Sequence, residues 1–209
     1  MACPLCEKRK PKRPCPARGD LICARCCGEQ REVSIECPFD CSYLRESRSR
    51  DHKGIHPKDF PYKDIQIDDQ FIRRHGELLT ESAQQILAGC AKIPGAVDTD
   101  VQQALDGLIR TQKTLDSGLY YDSRPDAAFA AALFDHLQEA LRAYRETDKQ
   151  RVGFTRVHEA DVLKVLVFLY RMGLDRDNGR LRGRAFLDFL TQHFSPTAPE
   201  QEPLIVPGA

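Results

Sequence analysis

Cys3, Cys6, Cys15, Cys23, Cys26, Cys27, Cys37 and Cys41 place eight of the nine cysteines of this 209-residue chain within its first 41 positions. Thiols at this density can form disulfides, hold an iron–sulfur cluster or bind zinc. Spacing favours zinc. Cys3-Pro-Leu-Cys6 is a C-x2-C pair, in which two intervening residues let the backbone turn both sulfurs toward one ion. Cys23-Ala-Arg-Cys26-Cys27-Gly28 is a second such pair with an extra cysteine, and Gly28 suits a positive φ at its end. Cys37-Pro-Phe-Asp-Cys41 is spaced i, i+4. Pro38 fits the first position of a helix, whose N-terminal dipole would favour thiolates at both ends of the spacing. Cys15 stands alone behind a basic run.

The compartment argues the same way. The start, Met1-Ala-Cys-Pro-Leu-Cys6, lacks the basic stretch and apolar run of a secretory signal, and no apolar stretch reaches the length of a membrane span. A reducing, cytoplasmic location is expected, where thiols bind metal more often than they pair. Eight thiolates match two Zn²⁺ per chain. The segment up to Cys41 also has too few large apolar side chains to build a core, so metal must supply its folding energy.

Lys8, Arg9, Lys10, Lys12 and Arg13 put five positive charges in six positions between Cys6 and Cys15. Residues 1–50 hold 11 basic and 7 acidic residues, a surplus of four that the rest of the chain cancels. A tetrathiolate zinc site carries about −2, so two sites would offset the surplus. The basic loop thus reads first as a solvated loop that neutralises thiolates. Its other reading is contact with phosphate or an acidic partner. Only Phe39 and Tyr43 are aromatic in residues 1–50, so a platform for stacking single-stranded bases is missing.

The order of the cysteines resembles that of the cross-brace two-zinc fingers of the MYND, HIT and RING type, over about residues 1–45. In that family the first and third pairs share one ion and the second and fourth share the other. The resemblance implies one site from Cys3, Cys6, Cys23 and Cys26 and another from Cys15, Cys27, Cys37 and Cys41, with Cys26 and Cys27 interchangeable. The chain departs from the family at position 18, where Arg18 replaces the cysteine of a compact second pair, and it lacks the family's late histidine ligand. A treble-clef wiring of Cys3, Cys6, Cys37 and Cys41 is the alternative.

The elements behind these residues read as two modules. Residues 51–66 form a linker interrupted by Gly54, Pro57 and Pro61. His52 and His56 have a helical ligand spacing, but Gly54 lies between them and a surface role is preferred. From residue 67 to 195 the apolar period is 3.6. Phe71, Leu78, Leu79, Ile86, Leu87 and Cys90 mark one helix, with Cys90 as a packing residue. Val101, Leu105, Leu108, Ile109 and Leu115 mark a second, opened by a Thr99-x-x-Gln102 capping box. Phe129, Leu133, Leu137, Leu141 and Tyr144 mark a third. The fourth, His158 to Met172, is apolar on nearly all sides and should be central. Phe186, Phe189, Leu190 and Phe194 mark a fifth. The expected architecture is a small Cys-rich zinc-finger module followed by an all-α bundle of about five helices, with a flexible Pro-rich tail from 196 to 209.

Catalytic patterns are missing. There is no Gly-rich phosphate loop, no G-x-S-x-G and no H-E-x-x-H. Asp175-Arg-Asp-Asn-Gly179 begins like a calcium loop, but Phe186 stands where its bidentate Glu belongs. Asp116, Tyr120, Tyr121 and Asp122 could line a small pocket at a helix end. Arg176, Arg180, Arg182 and Arg184 could receive phosphate or an acidic peptide. MYND- and HIT-like fingers are mostly protein-interaction modules, so the resemblance implies a protein partner; with catalytic motifs and a long apolar run both missing, the expectation is a non-enzymatic intracellular adaptor without membrane contact. The rival class is a nucleic-acid-binding regulatory protein using the basic loop.

Overall fold

The computed structural model describes residues 2–51, 54–116, 121–153 and 156–195. Within the first of these stretches, strands β1 (Arg13–Cys15) and β2 (Asp20–Ile22) form an antiparallel hairpin with Arg13 opposite Ile22 and Cys15 opposite Asp20. Gly19, at φ +70°, closes the turn, and its N–H donates to the Cys15 carbonyl at 2.9 Å. Helices α1 (Ala24–Gln30) and α2 (Ser42–Asp51) complete the module. Its buried cluster contains seven cysteines and only three aliphatic side chains, Ile22, Ile35 and Leu44. Three aliphatic side chains offer little hydrocarbon to bury, so such a core needs another source of stability.

The remainder is helical: α3 (Asp69–Arg74), α4 (Gly76–Lys92), α5 (Asp98–Asp116), α6 (Ala128–Val152), α7 (Glu159–Arg176) and α8 (Ala185–Phe194). Six helices among the described residues replace the expected five. The first expected helix is divided at His75, whose backbone (φ −107°, ψ 25°) ends α3 and opens α4. The stacked rings of Phe71 and His75, 4.4 Å apart, hold that corner. Helix α5 begins at Asp98, ahead of the expected Thr99 cap, and the Asp100 carboxylate accepts the Val97 N–H at 3.0 Å.

The core follows the predicted periods closely. Leu78, Leu79 and Ile86 of α4 meet Val101, Leu105, Leu108 and Ile109 of α5, Leu133 and Leu137 of α6, and Val162, Val165, Leu166, Val167 and Leu169 of α7. Helix α7 packs on α4, α5 and α8, as its all-round apolar surface requires. Phe129 and Leu115 depart from the pattern and are exposed, while Ala130, Ala131 and Phe134 are buried in α6. No described helix is long and apolar enough to cross a membrane.

Residues 57–66 lie along the bundle. Arg171 of α7 donates to the carbonyls of Pro61, Tyr62 and Ile65, and Ile65 is buried in the helical core. Tyr62 takes a left-handed backbone (φ 57°) and donates its hydroxyl to Asp106. His56 is exposed and caps a short 3-10 turn, its Nδ1 accepting the Lys58 N–H. His52, Tyr120 and the tail from 196 lie outside the described residues.

Candidate metal centre

The thiols of Cys3, Cys6, Cys23 and Cys26 lie within 4.8 Å of one another, so these four can hold one metal ion. Local structure explains the convergence. Between Cys3 and Cys6 the chain makes a tight turn that exits through Glu7 at φ 52°, whose N–H donates to the Cys3 carbonyl at 2.7 Å. Cys23 sits at the N-cap of α1, and its sulfur accepts the Cys26 N–H at 3.4 Å. The Cys23 N–H in turn donates to the Cys3 sulfur at 3.2 Å. Gly28, expected at positive φ, is an ordinary helical residue of α1; the left-handed position falls on Glu7 instead.

The environment of the cluster treats its thiols unequally. Backbone N–H groups of Lys8 and Arg9 bring the Cys6 thiol down to about 6. Burial opposes ionisation of Cys3, but N–H donors from Cys23, Leu5 and Cys6 outweigh it and lower its pKa. Cys26 is pushed up to about 12, first by its hydrogen bond with Cys23 and then by burial and its neighbours' sulfurs. Successive thiolates in this space raise the cost of the next one. A divalent ion removes that cost, because ligation deprotonates a thiol outright. The donor set is all sulfur and tetradentate, which suits tetrahedral Zn²⁺.

Cys15, Cys27, Cys37 and Cys41 share the buried cluster with Cys3, Cys23 and Cys26, and Cys6 packs against it. Among the described residues they do not close into a second group at the same spacing. Cys15 ends β1, Cys27 lies in α1, and Cys37 and Cys41 flank the turn before α2. Here the structure corrects the expected helix: α2 starts at Ser42, so Cys37 is in a loop and Cys41 immediately precedes the helix. Burial pushes the Cys37 thiol up, and the charges of Cys41, Glu32 and Cys15 add to the shift. Cys27 faces cations: Nη1 of Arg13 is 3.6 Å from its sulfur and Nη2 of Arg31 is 4.0 Å away. The treble-clef wiring is not what assembles, since Cys23 and Cys26, not Cys37 and Cys41, join Cys3 and Cys6.

Of the basic run, Lys8, Arg9, Lys10 and Lys12 are exposed. Arg13 is half-buried, with its guanidinium 4.6 Å from the Tyr43 ring centroid. The arginines of the α7–α8 loop serve a purpose the spacing did not reveal. Arg180 donates to the carbonyls of Gly28 and Arg31, and Arg184 to that of Cys37. Arg182 pairs with Glu36 at 2.8 Å. At the centre lies Glu32, 2% exposed, which accepts from Arg48 at 2.6 Å, from Asn178 at 2.7 Å and from the Arg184 N–H at 3.1 Å. Arg48 also pairs with Asp188 of α8. Both Arg48 and Arg184 lie over the ring of Phe39, which packs against the helical core. The cysteine module is thus bonded to the bundle through a buried polar network.

The Cys90 thiol is half-buried on α4 and pushed up to about 12 by burial. Tyr121 is 69% exposed, and its carbonyl accepts from Thr114. No family model matches this chain, and no curated protein or solved structure matches it. The likeness to cross-brace fingers therefore stands on cysteine order and on the geometry of one thiol cluster.

Proposed function

We propose that this chain is a non-enzymatic intracellular adaptor whose N-terminal module is folded by two zinc ions and held against a helical bundle. The observation that carries it is the convergence of Cys3, Cys6, Cys23 and Cys26 in a module with almost no aliphatic core. Cys15, Cys27, Cys37 and Cys41 draw together on a second ion, which takes over the charge compensation now offered by Arg13 and Arg31. The grouping follows the cross-brace order, and fingers of that kind mostly present small rigid surfaces to proteins. Val33 and Leu181 fit such a surface. They flank the Arg182 N–H to Glu32 carbonyl bond, one from each module, and both side chains are exposed. The sequence carries no catalytic motif.

Affinity capture with the metal-replete full chain from nuclease-treated extract tests this reading. A protein retained by the native chain and lost with Val33→Asp/Leu181→Asp supports it; retention unchanged by both substitutions contradicts the surface. The second reading is nucleic-acid binding, favoured by the exposure of Lys8, Arg9, Lys10 and Lys12. It requires salt-sensitive binding to duplex DNA or RNA that vanishes when these four and Arg13 become Ser. Each lost phosphate contact would then reduce the salt slope by roughly one. On the adaptor reading, binding at physiological salt is negligible before and after the change.

A further inference from the structure

Helix α2 of the cysteine module and helices α7 and α8 of the bundle enclose a cleft of about 490 Å³. Its lining includes Arg45, Arg48, Arg176, Arg180 and the exposed His193. Charge compensation within it is uneven. Arg48 is matched twice over, by Glu32 and Asp188. Among the described residues Arg45 and Arg180 have no such match: their hydrogen bonds go to the backbone carbonyls of Asp40, Gly28 and Arg31, which carry no net charge. Arg176 lies over the Phe189 ring at 4.3 Å, and its Nε stands 3.8 Å from Asp175, beyond hydrogen-bond range. That buried Nε–H has no hydrogen-bond partner among the described residues. Asp177, the other acid of the lining besides Asp188, is exposed and accepts the Gly179 N–H.

We propose that this cleft binds a phosphomonoester dianion, gripped by Arg45, Arg176 and Arg180. Three guanidinium forks offer more donors than one carboxylate can accept, and they match the three terminal oxygens of a phosphate. The orphaned Nε–H of Arg176 gains an acceptor when its fork turns to the ligand. The volume exceeds that of inorganic phosphate and leaves room for the group that carries it. Phe189 supplies an apolar wall for that group. The site uses none of the cysteines and stands apart from the adaptor reading.

Calorimetric titration of the metal-replete full chain tests the proposal with two probes, phenyl phosphate and an Ala-Ala-phosphoserine-Ala-Ala peptide, with the unphosphorylated peptide as control. Saturable binding of either phosphorylated probe is expected. Stronger binding of the peptide identifies a protein-borne phosphate, and stronger binding of phenyl phosphate a free organic one. Arg45→Ala should weaken binding about tenfold, as expected for one charge-assisted contact. Arg45 is exposed, so metal content and helicity should be unchanged. Asp177→Asn keeps an acceptor for the turn, removes a negative charge and should strengthen binding. No saturable binding up to about 10 mM, a range that reaches even millimolar affinities, overturns the proposal. Binding that is indifferent to both substitutions, or equal for the unphosphorylated peptide, overturns it as well.

Discussion

Cys26 and Cys27 are neighbours in sequence but face different partners, one the thiols of Cys3, Cys6 and Cys23, the other the guanidiniums of Arg13 and Arg31. The helical backbone of α1 causes the divergence, since consecutive side chains there point about 100° apart. Substituting Cys23 removes both a thiolate and the sulfur that accepts the Cys26 N–H at the N-cap. Cys23→Ser is therefore expected to lower bound metal by one ion per chain, measured by elemental analysis. Cys90→Ser, on a helix distant in sequence from the cluster, should leave the metal content unchanged. Cys3/Cys6 and Cys23/Cys26 were legible as pairs because each C-x2-C spacing is local, whereas the meeting of the two pairs was implied only by the cross-brace resemblance, with the treble clef as its alternative. Glu32 was not legible. Its partners Arg48, Asn178 and Arg184 lie 16, 146 and 152 positions away, and no local pattern marks a carboxylate that will be buried.

At the scale of elements, the 3.6-residue period located the core faces of α4, α5, α7 and α8. It could not place the break at His75, because the ring stacking that holds the corner interrupts no apolar stripe. Nor does period reveal close approach. Gly107 of α5 lies under the segment leading into α6, and a Cβ there would sit 2.6 Å from the Ser123 carbonyl oxygen and 3.2 Å from the Phe134 ring. In an open helix, Gly→Ala gains about 1 kcal/mol. Here the overlap with backbone should win, and Gly107→Ala should destabilise the fold by about 1–3 kcal/mol, read from chemical denaturation. Helix α8 depends on Asp98, which accepts the N–H groups of Phe186 and Leu187 at 2.9 and 3.0 Å. Burial pushes its carboxyl from 3.8 up to about 7, although those two donors pull the other way. Between these values the folded chain holds a proton that the unfolded chain has released. Stability should therefore fall as pH rises from about 4 to about 7. Asp98→Asn, which keeps an acceptor, should flatten that part of a melting-temperature profile; an unchanged slope would assign it to other groups.

The whole molecule joins a module with a thiol core to a bundle with a hydrocarbon core through Glu32, Arg48, Asp188 and the arginines of the α7–α8 loop. The bundle buries its own apolar cluster, so its helices have a source of stability that owes nothing to metal. A strong chelator is expected to unfold residues 2–51 while α3–α8 keep their helical circular-dichroism signal. Melting should shift downward, because Arg48 and Glu32 no longer anchor α8. A parallel collapse of helicity would mean that the bundle cannot stand without the metal module. The central claim is that sulfur-ligated metal folds the N-terminus. X-ray absorption at the zinc edge, combined with elemental analysis of the full chain purified under reducing conditions, tests it most directly. The account predicts four sulfur neighbours per zinc at about 2.3 Å and two ions per chain, one of them lost in Cys23→Ser. A chain without firmly held metal, or zinc bound mainly by nitrogen and oxygen, would contradict it.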